Sequence, residues 1–380
     1  MTEVSPDYLQ YSLQQDVTHL AQWLDESSKL TRTMIESLKP GQEKVPEMDV
    51  INPPYWELGH LTWFHELWVH RKGDFASPSI FKNADEFFNS SQVSHKARWK
   101  LDLPPIKELW DYFEQTLLKT KELLKNPLIS TQEAYFIELS IFHEDMHNEA
   151  FAYSWQTLEY SCPQGLFPLF TPKKIQIKQA LIDFPARVLQ LGSSPQSGFV
   201  FDNEKWQHEK QIPAFSISNI AVSNAEYLEF IESNASANIP APSHWRQDSG
   251  QWHERHFNQW QPLALEQPVR HISADDAQRY CLWRNLRLPT EEELLVLLQS
   301  PQDIWVSSNL WEWTSSVFQP FSGFSPDPYA DYSKPWFDGS YRVLKGGSIV
   351  TPKRLLRPQF RNFYRPERKD FFCGFRTCLL

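Results

Sequence analysis

His143 and His147 stand four residues apart in FHEDMHNEAF, and at about 100° per residue that spacing turns both imidazoles to one side of a helix. Two ring nitrogens presented together suit a single metal ion. Phe136, Leu139, Ala150, Phe151 and Leu158 continue the same side, so the pair is expected to point into a core rather than into water. A lone inward histidine is more often a hydrogen-bonded core residue; a pair at this spacing moves the reading towards a metal. Glu149 lies six residues after His143 and therefore projects elsewhere, as a structural residue. The third ligand is expected from a facing helix. In ELGHLTWFHELWVHR, His60 shares a stripe with Trp56, Trp63, Phe64 and Leu67. His65 and His70 fall off that stripe, beside Glu66 and Arg71, and read as a solvated polar face.

HEDMH also matches HExxH, in which two histidines bind zinc and Glu144 would be the general base of a peptidase. The extended metzincin pattern requires Gly at position 150 and His at 153, where this chain has Ala150 and Tyr153. A peptidase with Glu159 as a downstream ligand stays open, but it gives His60 no part. Three neutral imidazoles with open coordination positions suit Zn(II) for hydrolysis or Fe(II) for oxygen chemistry, and ligand type alone does not choose.

Helices must position these residues, and apolar spacing of three and four predicts them over Tyr8 to Leu38, Tyr55 to His70, Ile106 to Leu124 and Gln132 to Leu158. Pro53 and Pro54 precede the second, Pro104 and Pro105 the third, and Asn126-Pro127 stops the third. Four such helices predict an antiparallel bundle. A Pro-rich connector from Cys162 to Pro172 follows, and beyond about Lys173 short β-like runs and loops predict an α+β domain. Ser223 with Glu226 and Thr290 with Glu293 have the spacing of capping boxes that open short helices.

A length of 380 residues predicts two domains, each able to bury a core. The net charge of −10, with no Lys/Arg block, lacks the electrostatic footprint of a nucleic-acid binder. No apolar run is long enough to span a membrane, and no apolar leader follows a basic start, so a cytoplasmic protein is expected. The four cysteines form no CxxC pair and are expected to be reduced and buried as small hydrophobes. Sixteen Trp, 13 Tyr and 26 Phe predict long loops pinned by rings, the kind that line small-molecule sites.

The segment around His60, followed by HxxxHxE at His143, His147 and Glu149, resembles the DinB-like domain of ergothioneine-pathway sulfoxide synthases. The second half resembles the formylglycine-generating-enzyme-like domain fused to it, through FVFDNEKWQHE, SNAEYLEFIE, RLPTEEEL, NLWEWTSS, VLKGGS and RNFYRPERKDFFCGFR, in the family's order. The fold implied is multidomain, α and α+β. A DinB-like four-helix bundle spans 1–160, a connector 161–184, and a loop-rich formylglycine-generating-enzyme-like (C-type-lectin-like) domain 185–380.

The resemblance implies a mononuclear non-haem Fe(II) enzyme that uses O2 to join a thiol to C2 of the imidazole of hercynine, the trimethylated histidine, giving a sulfoxide. FNSSQVSHKARW and HEDMHNEAF look closer to selenoneine synthases, which take a selenosugar in place of a cysteine or γ-glutamylcysteine thiol. A non-catalytic DinB-like metal-binding protein is the alternative without turnover. Met146 stands where the family often has a Gln that helps hold hercynine. Tyr332, in YADYSKPW, falls where the family's active-site tyrosine would be, with Tyr329 and Tyr341 as alternatives. Arg98, with His95 nearby, falls where the family binds its chalcogen donor. Phe363, Tyr364, Phe371 and Phe372, with Asp370 as charge partner, lie in the segment similar to the substrate-binding end, and aromatic faces suit a trimethylammonium group. Asn309 and Glu312 are candidates for holding a structural Ca(II). Within the segment Ser94 to Trp99 the only evident cations are Lys96 and Arg98, and a neutral sugar needs fewer fixed cations than a donor with carboxylates.

Overall fold

In this computed structural model, residues 18–126, 128–166, 178–194, 197–233 and 239–380 are described. Positions 8–17 of the first expected helix and 167–172 of the connector lie outside the described residues. The chain divides into two units. One takes in the described residues of Met1–Gln164 with Ser194–Phe201 and Asp327–Asp331; the other comprises Gly165–Ser193, Asp202–Pro326 and Tyr332–Leu380.

In the first unit, α2 (Pro54–His65) follows Pro53, extended at φ −60 and ψ 126, and Pro54 at the first helical position has its φ fixed for the helix. Ser130 and Glu133 form a capping box at the start of α5 (Thr131–Thr157), and α1 (Thr18–Glu36), α3 (Ala84–Phe88) and α4 (Ile106–Leu124) complete the set. Helix α1 packs on α5, while α2 packs on α3, α4 and α5. α1 and α4 are one-sided, but α2 and α5 are buried nearly all round, which is the property of a central helix.

That centrality overturns the reading of His65 and its neighbours as a solvated face. α2 runs on into one π-helical turn, Glu66–His70, and His65, Glu66 and Arg71 are 4%, 1% and 5% exposed. Each is inside because it meets a partner there. His65 Nε2 shares a hydrogen bond with Thr120 Oγ1 at 2.8 Å. Glu66 accepts from Ser79 Oγ, the Ile80 amide and Tyr112 Oη, and Arg71 holds both carboxylate oxygens of Asp85. Such satisfied networks are the usual condition for burying polar groups.

Two distant segments join this unit. Phe199 packs its ring on Tyr135 and Phe142. Tyr135 Oη donates to Asp327 Oδ2 at 2.8 Å, and Ser91 Oγ donates to Asp331 Oδ2 at 2.5 Å, which fixes the intervening Tyr329.

The second unit is built of short strands with three helices. In chain order these are β1 (Leu181–Phe184), β2 (Arg187–Leu191), β3 (His208–Ile212), β4 (Phe215–Ser218), α6 (Asn224–Ser233), β5 (Trp245–Asp248), β6 (Gln251–His256) and β7 (Gln259–Pro262). Then come α7 (Ala274–Arg284), β8 (Leu286–Arg287), α8 (Glu291–Leu298), β9 (Trp311–Val317), β10 (Arg342–Gly346), β11 (Asn362–Tyr364), β12 (Cys373–Gly374) and β13 (Cys378–Leu379). The sheets run β1-β4-β13-β8, β11-β10-β9-β12, β2-β3 and β5-β6-β7. Both expected capping boxes are present, Ser223–Glu226 and Thr290–Glu293 at the start of α8. Ile217, the α8 leucines, Trp305 and Cys378 form one apolar core. Arginines hold the loops: Arg361 meets Glu291 through both oxygens, and Arg376 meets Glu312 likewise. The four cysteines are free thiols, three buried and Cys162 half-buried. No helix among the described residues is long and apolar enough to cross a membrane.

Candidate metal centre

Gly59 has no side chain because none would fit: a Cβ there would lie 2.1 Å from the Phe88 ring. A glycine inside a helix costs about 1 kcal/mol against alanine, and here the result is close approach of α3 to α2. The Phe88 carbonyl thereby reaches His60 Nδ1 at 2.8 Å and, by accepting its proton, leaves Nε2 with its lone pair free. Trp56 stacks on the His60 ring at 4.9 Å and 7°, so orientation is fixed from two directions.

His143 and His147 come from the facing α5. Their rings lie 4.5 Å apart and stand 5.2 and 5.0 Å from that of His60. One nitrogen of each residue lies within 4.8 Å of the other two. His147 Nδ1 is 2.6 Å from Glu57 Oε1, and Glu57 is 2% exposed. His143 is stacked on Phe64 at 3.6 Å, and its Nδ1 is buried with no hydrogen-bond partner among the described residues. Burial pushes the pKa of His60 and of His143 well below the ordinary range, and the neighbouring histidines add to the shift. Both are therefore neutral near pH 7, as metal ligands must be. Three convergent imidazoles, two aimed through Nδ1 and one with a buried nitrogen unmatched among the described residues, fit a divalent transition-metal ion.

Glu144 faces α1 instead. Its Oε1 accepts from Thr31 Oγ1 at 2.5 Å, and Thr31 also bonds Asn148, one turn on. The HExxH reading thus loses its general base to a helix–helix hydrogen bond.

The other candidates are described within their own units. Arg98 lies over Trp56 at 4.0 Å and donates to Asn52 Oδ1 at 2.6 Å. Burial lowers its pKa to about 10, which leaves it charged, and the charge of Glu57 acts on it in the opposite sense. Met146, half-buried, adjoins His147 on α5. The phenol beside the trio is Tyr329, whose ring meets Phe64 at 4.8 Å and His143 at 6.2 Å. Tyr332 belongs to the second unit, with its ring 6.0 Å from Phe363. Asp370 is held through both oxygens by Arg368, and Phe371 is buried against Trp313 and Tyr364. Asn309 is exposed with φ +55. Glu312 has both oxygens on Arg376 and one also on Ser308 Oγ, so its carboxylate is already matched by a buried cation.

A cavity of about 230 Å³ opens in the first unit beside Tyr329, walled by Trp63, Phe64, Trp68 and Phe75 with Ser91 and Asp331 at its polar side. Glu57, Gly59 and Phe88 were not singled out from the sequence. Glu57 had a signal nonetheless: a carboxylate inside the apolar run PPYWELGHLTWF, three residues before His60, needs a partner.

Residues 173–297 and 306–379 match the sulfatase-modifying factor enzyme 1-like domain. The chain belongs to that family. Hercynine oxygenase of Mycobacterium tuberculosis is 26% identical over 86% of this chain and 91% of its own length, and that of Mycolicibacterium smegmatis 27% identical over the same shares. Ergothioneine biosynthesis protein 1 of Schizosaccharomyces pombe is 27% identical over 86% of this chain and 51% of itself. These relatives support the resemblance to ergothioneine-pathway sulfoxide synthases read from the motifs. In all three the similarity extends beyond the matched domain into the helical unit.

Proposed function

We propose that this chain is an Fe(II)- and O2-dependent enzyme that joins a chalcogen to imidazole C2 of hercynine, with His60, His143 and His147 as the iron ligands. The observation that carries the proposal is the convergence of three imidazoles on helices α2 and α5, in a chain similar along 86% of its length to proteins named hercynine oxygenase. The first unit is read as DinB-like, and the protein as cytoplasmic.

The reaction balances as hercynine C2–H plus a thiol or selenol plus O2, giving the C–S or C–Se bond, the sulfoxide or selenoxide, and water. Carbon and chalcogen give up four electrons, and O2 accepts them. Bound Fe(II) supplies the redox centre and open positions for small reactants. Phe64 and Trp56 hold two ligand rings in place and keep water from them. Of the candidate tyrosines, Tyr329 is proposed to give a proton from its Oη to the oxygen being reduced, a role that suits a phenol and that its ring contacts with Phe64 and His143 support, with Tyr332 as the alternative. The adjoining cavity gives a small reactant room next to that phenol.

For the donor, the proposal is a selenosugar, with a cysteine or γ-glutamylcysteine thiol as the second reading. Arg98 is charged but stacked on Trp56 and bonded to Asn52, so its remaining N–H groups suit sugar hydroxyls. Anaerobic Fe(II) reconstitution followed by oxygen, hercynine and each donor in turn, read by mass spectrometry, tests both levels. A C2-linked product from any donor supports the reaction class, and its absence with every donor sinks it. Comparable or higher kcat/KM with γ-glutamylcysteine or cysteine would overturn the selenosugar preference.

A further inference from the structure

We infer that Glu57 is a charged positioning residue for the metal: its carboxylate fixes the ring of His147 and sets how strongly, and in which oxidation state, the trio holds iron. The inference rests on His60, His143 and His147 being the ligands.

The three histidines have unlike surroundings. His60 gives its Nδ1 proton to a neutral backbone carbonyl, and His143 Nδ1 has no hydrogen-bond partner among the described residues. Among the described residues, only His147 of the three faces a carboxylate, at 2.6 Å, a distance typical of charge-assisted hydrogen bonds. The first turn of α2 favours an acid through the helix dipole, but an exposed acid would meet that preference as well, and it does not account for burying one against His147. Glu57 sits in the first turn of α2, 2% exposed, among Pro54, Trp56 and Leu58, all buried. Taking a carboxylate out of water is costly unless it is paired, and the pairs it has are His147 and the nearby charge of Arg98.

A neutral His₃ set leaves a bound divalent ion with its full charge. A carboxylate one imidazole away offsets part of that charge, holds the ring in the Nδ1–H tautomer and makes Nε2 a stronger donor. It does so without occupying a coordination position, so the open positions stay open for reactants. An anion close to the metal also favours the higher oxidation state.

The test compares wild-type protein with Glu57→Gln, which keeps shape and a hydrogen-bond acceptor but removes the charge. Fe(II) affinity is measured anaerobically by competition with a chromogenic chelator, and the ferric/ferrous midpoint potential by spectroelectrochemistry. The variant should bind Fe(II) about 10- to 100-fold more weakly and show a raised potential. Unchanged affinity and potential in a folded variant overturn the inference. If the variant does not fold, ¹⁵N-histidine NMR of the Zn(II)-loaded wild type decides instead. A strongly low-field Nδ1 proton assigned to His147 upholds the inference, and its absence overturns it. Failure of the wild type itself to bind Fe(II) or Zn(II) would sink the metal-site reading, which separates the two failures.

Discussion

Phe64 lies face to face on His143, with ring centroids 3.6 Å apart and planes inclined by 8°. The two side chains come from different helices, so the stack ties the orientation of an α5 ligand to the packing of α2. Phe64 also forms part of the wall of the cavity beside Tyr329.

Phe64→Leu keeps an apolar side chain in the core while removing the stacking, worth about 0.5–1.5 kcal/mol beyond the area buried. Thermal or urea unfolding of the metal-free variant should show a loss of at least that size. Fe(II) affinity should fall several-fold because the His143 ring gains freedom. Unaltered affinity would mean that α5 alone orients His143.

Glu144→Gln tests the hydrolase alternative directly. Its carboxylate accepts a hydrogen bond from Thr31, and a bond to a charged group is worth about 1.5–3 kcal/mol. Gln keeps an acceptor for Thr31, so the variant should lose at most that much stability yet retain iron and oxidative turnover of hercynine. A stable Glu144→Gln protein that has lost all turnover would return Glu144 to the chemistry.

How the chain reveals itself depends on the range of each interaction. His143–His147 and the Thr290–Glu293 box were legible because three- and four-residue spacings are read within one helix turn. His60 followed from the stripe with Trp56, Trp63 and Phe64. His65 did not, since its burial depends on Thr120 of α4, 55 residues away, and on a π turn that no local pattern announces. Tyr329 was one of three candidate tyrosines because its placement rests on Tyr135–Asp327 and Ser91–Asp331, bonds spanning 192 and 240 residues. Glu312 read as an oxygen ligand in a loop, but the buried cation opposite, Arg376, lies 64 residues on.

Acid should destabilise the protein in part through His65. Burial, with the adjacent charge of His70, lowers its pKa from 6.5 to about 3. Between those values the unfolded chain takes up a proton that the folded chain does not, so stability falls as pH drops from 6.5 towards 3. One such group contributes at most about 1.4 kcal/mol per pH unit. His65→Gln removes it while keeping a polar side chain for Thr120. Urea unfolding at pH 6, 5 and 4 should give a shallower slope for the variant by about that amount, and equal slopes would show that His65 protonates without penalty.

The phenol assignment separates two tyrosines only three residues apart. Tyr329 is packed against Phe64 and His143, and its segment is tied to the helical unit at both ends, through Asp327 and Asp331. Tyr332 lies against Phe363 in the second unit. A proton donor must be within hydrogen-bond reach of the atom it serves in the reacting complex, and within the first unit the Tyr329 ring lies 6.2 Å from that of His143. Phenylalanine keeps the ring contacts and deletes only the hydroxyl. Tyr329→Phe should therefore bind Fe(II) and hercynine normally while kcat falls by about 10²-fold or more, the usual scale for a lost general acid. Tyr332→Phe should change KM more than kcat if its hydroxyl meets substrate, and neither if it does not. Single-turnover oxygen consumption by reconstituted protein separates the chemical step from product release. Full activity in Tyr329→Phe, with the large kcat loss appearing in Tyr332→Phe, would transfer the proton-donating role to Tyr332.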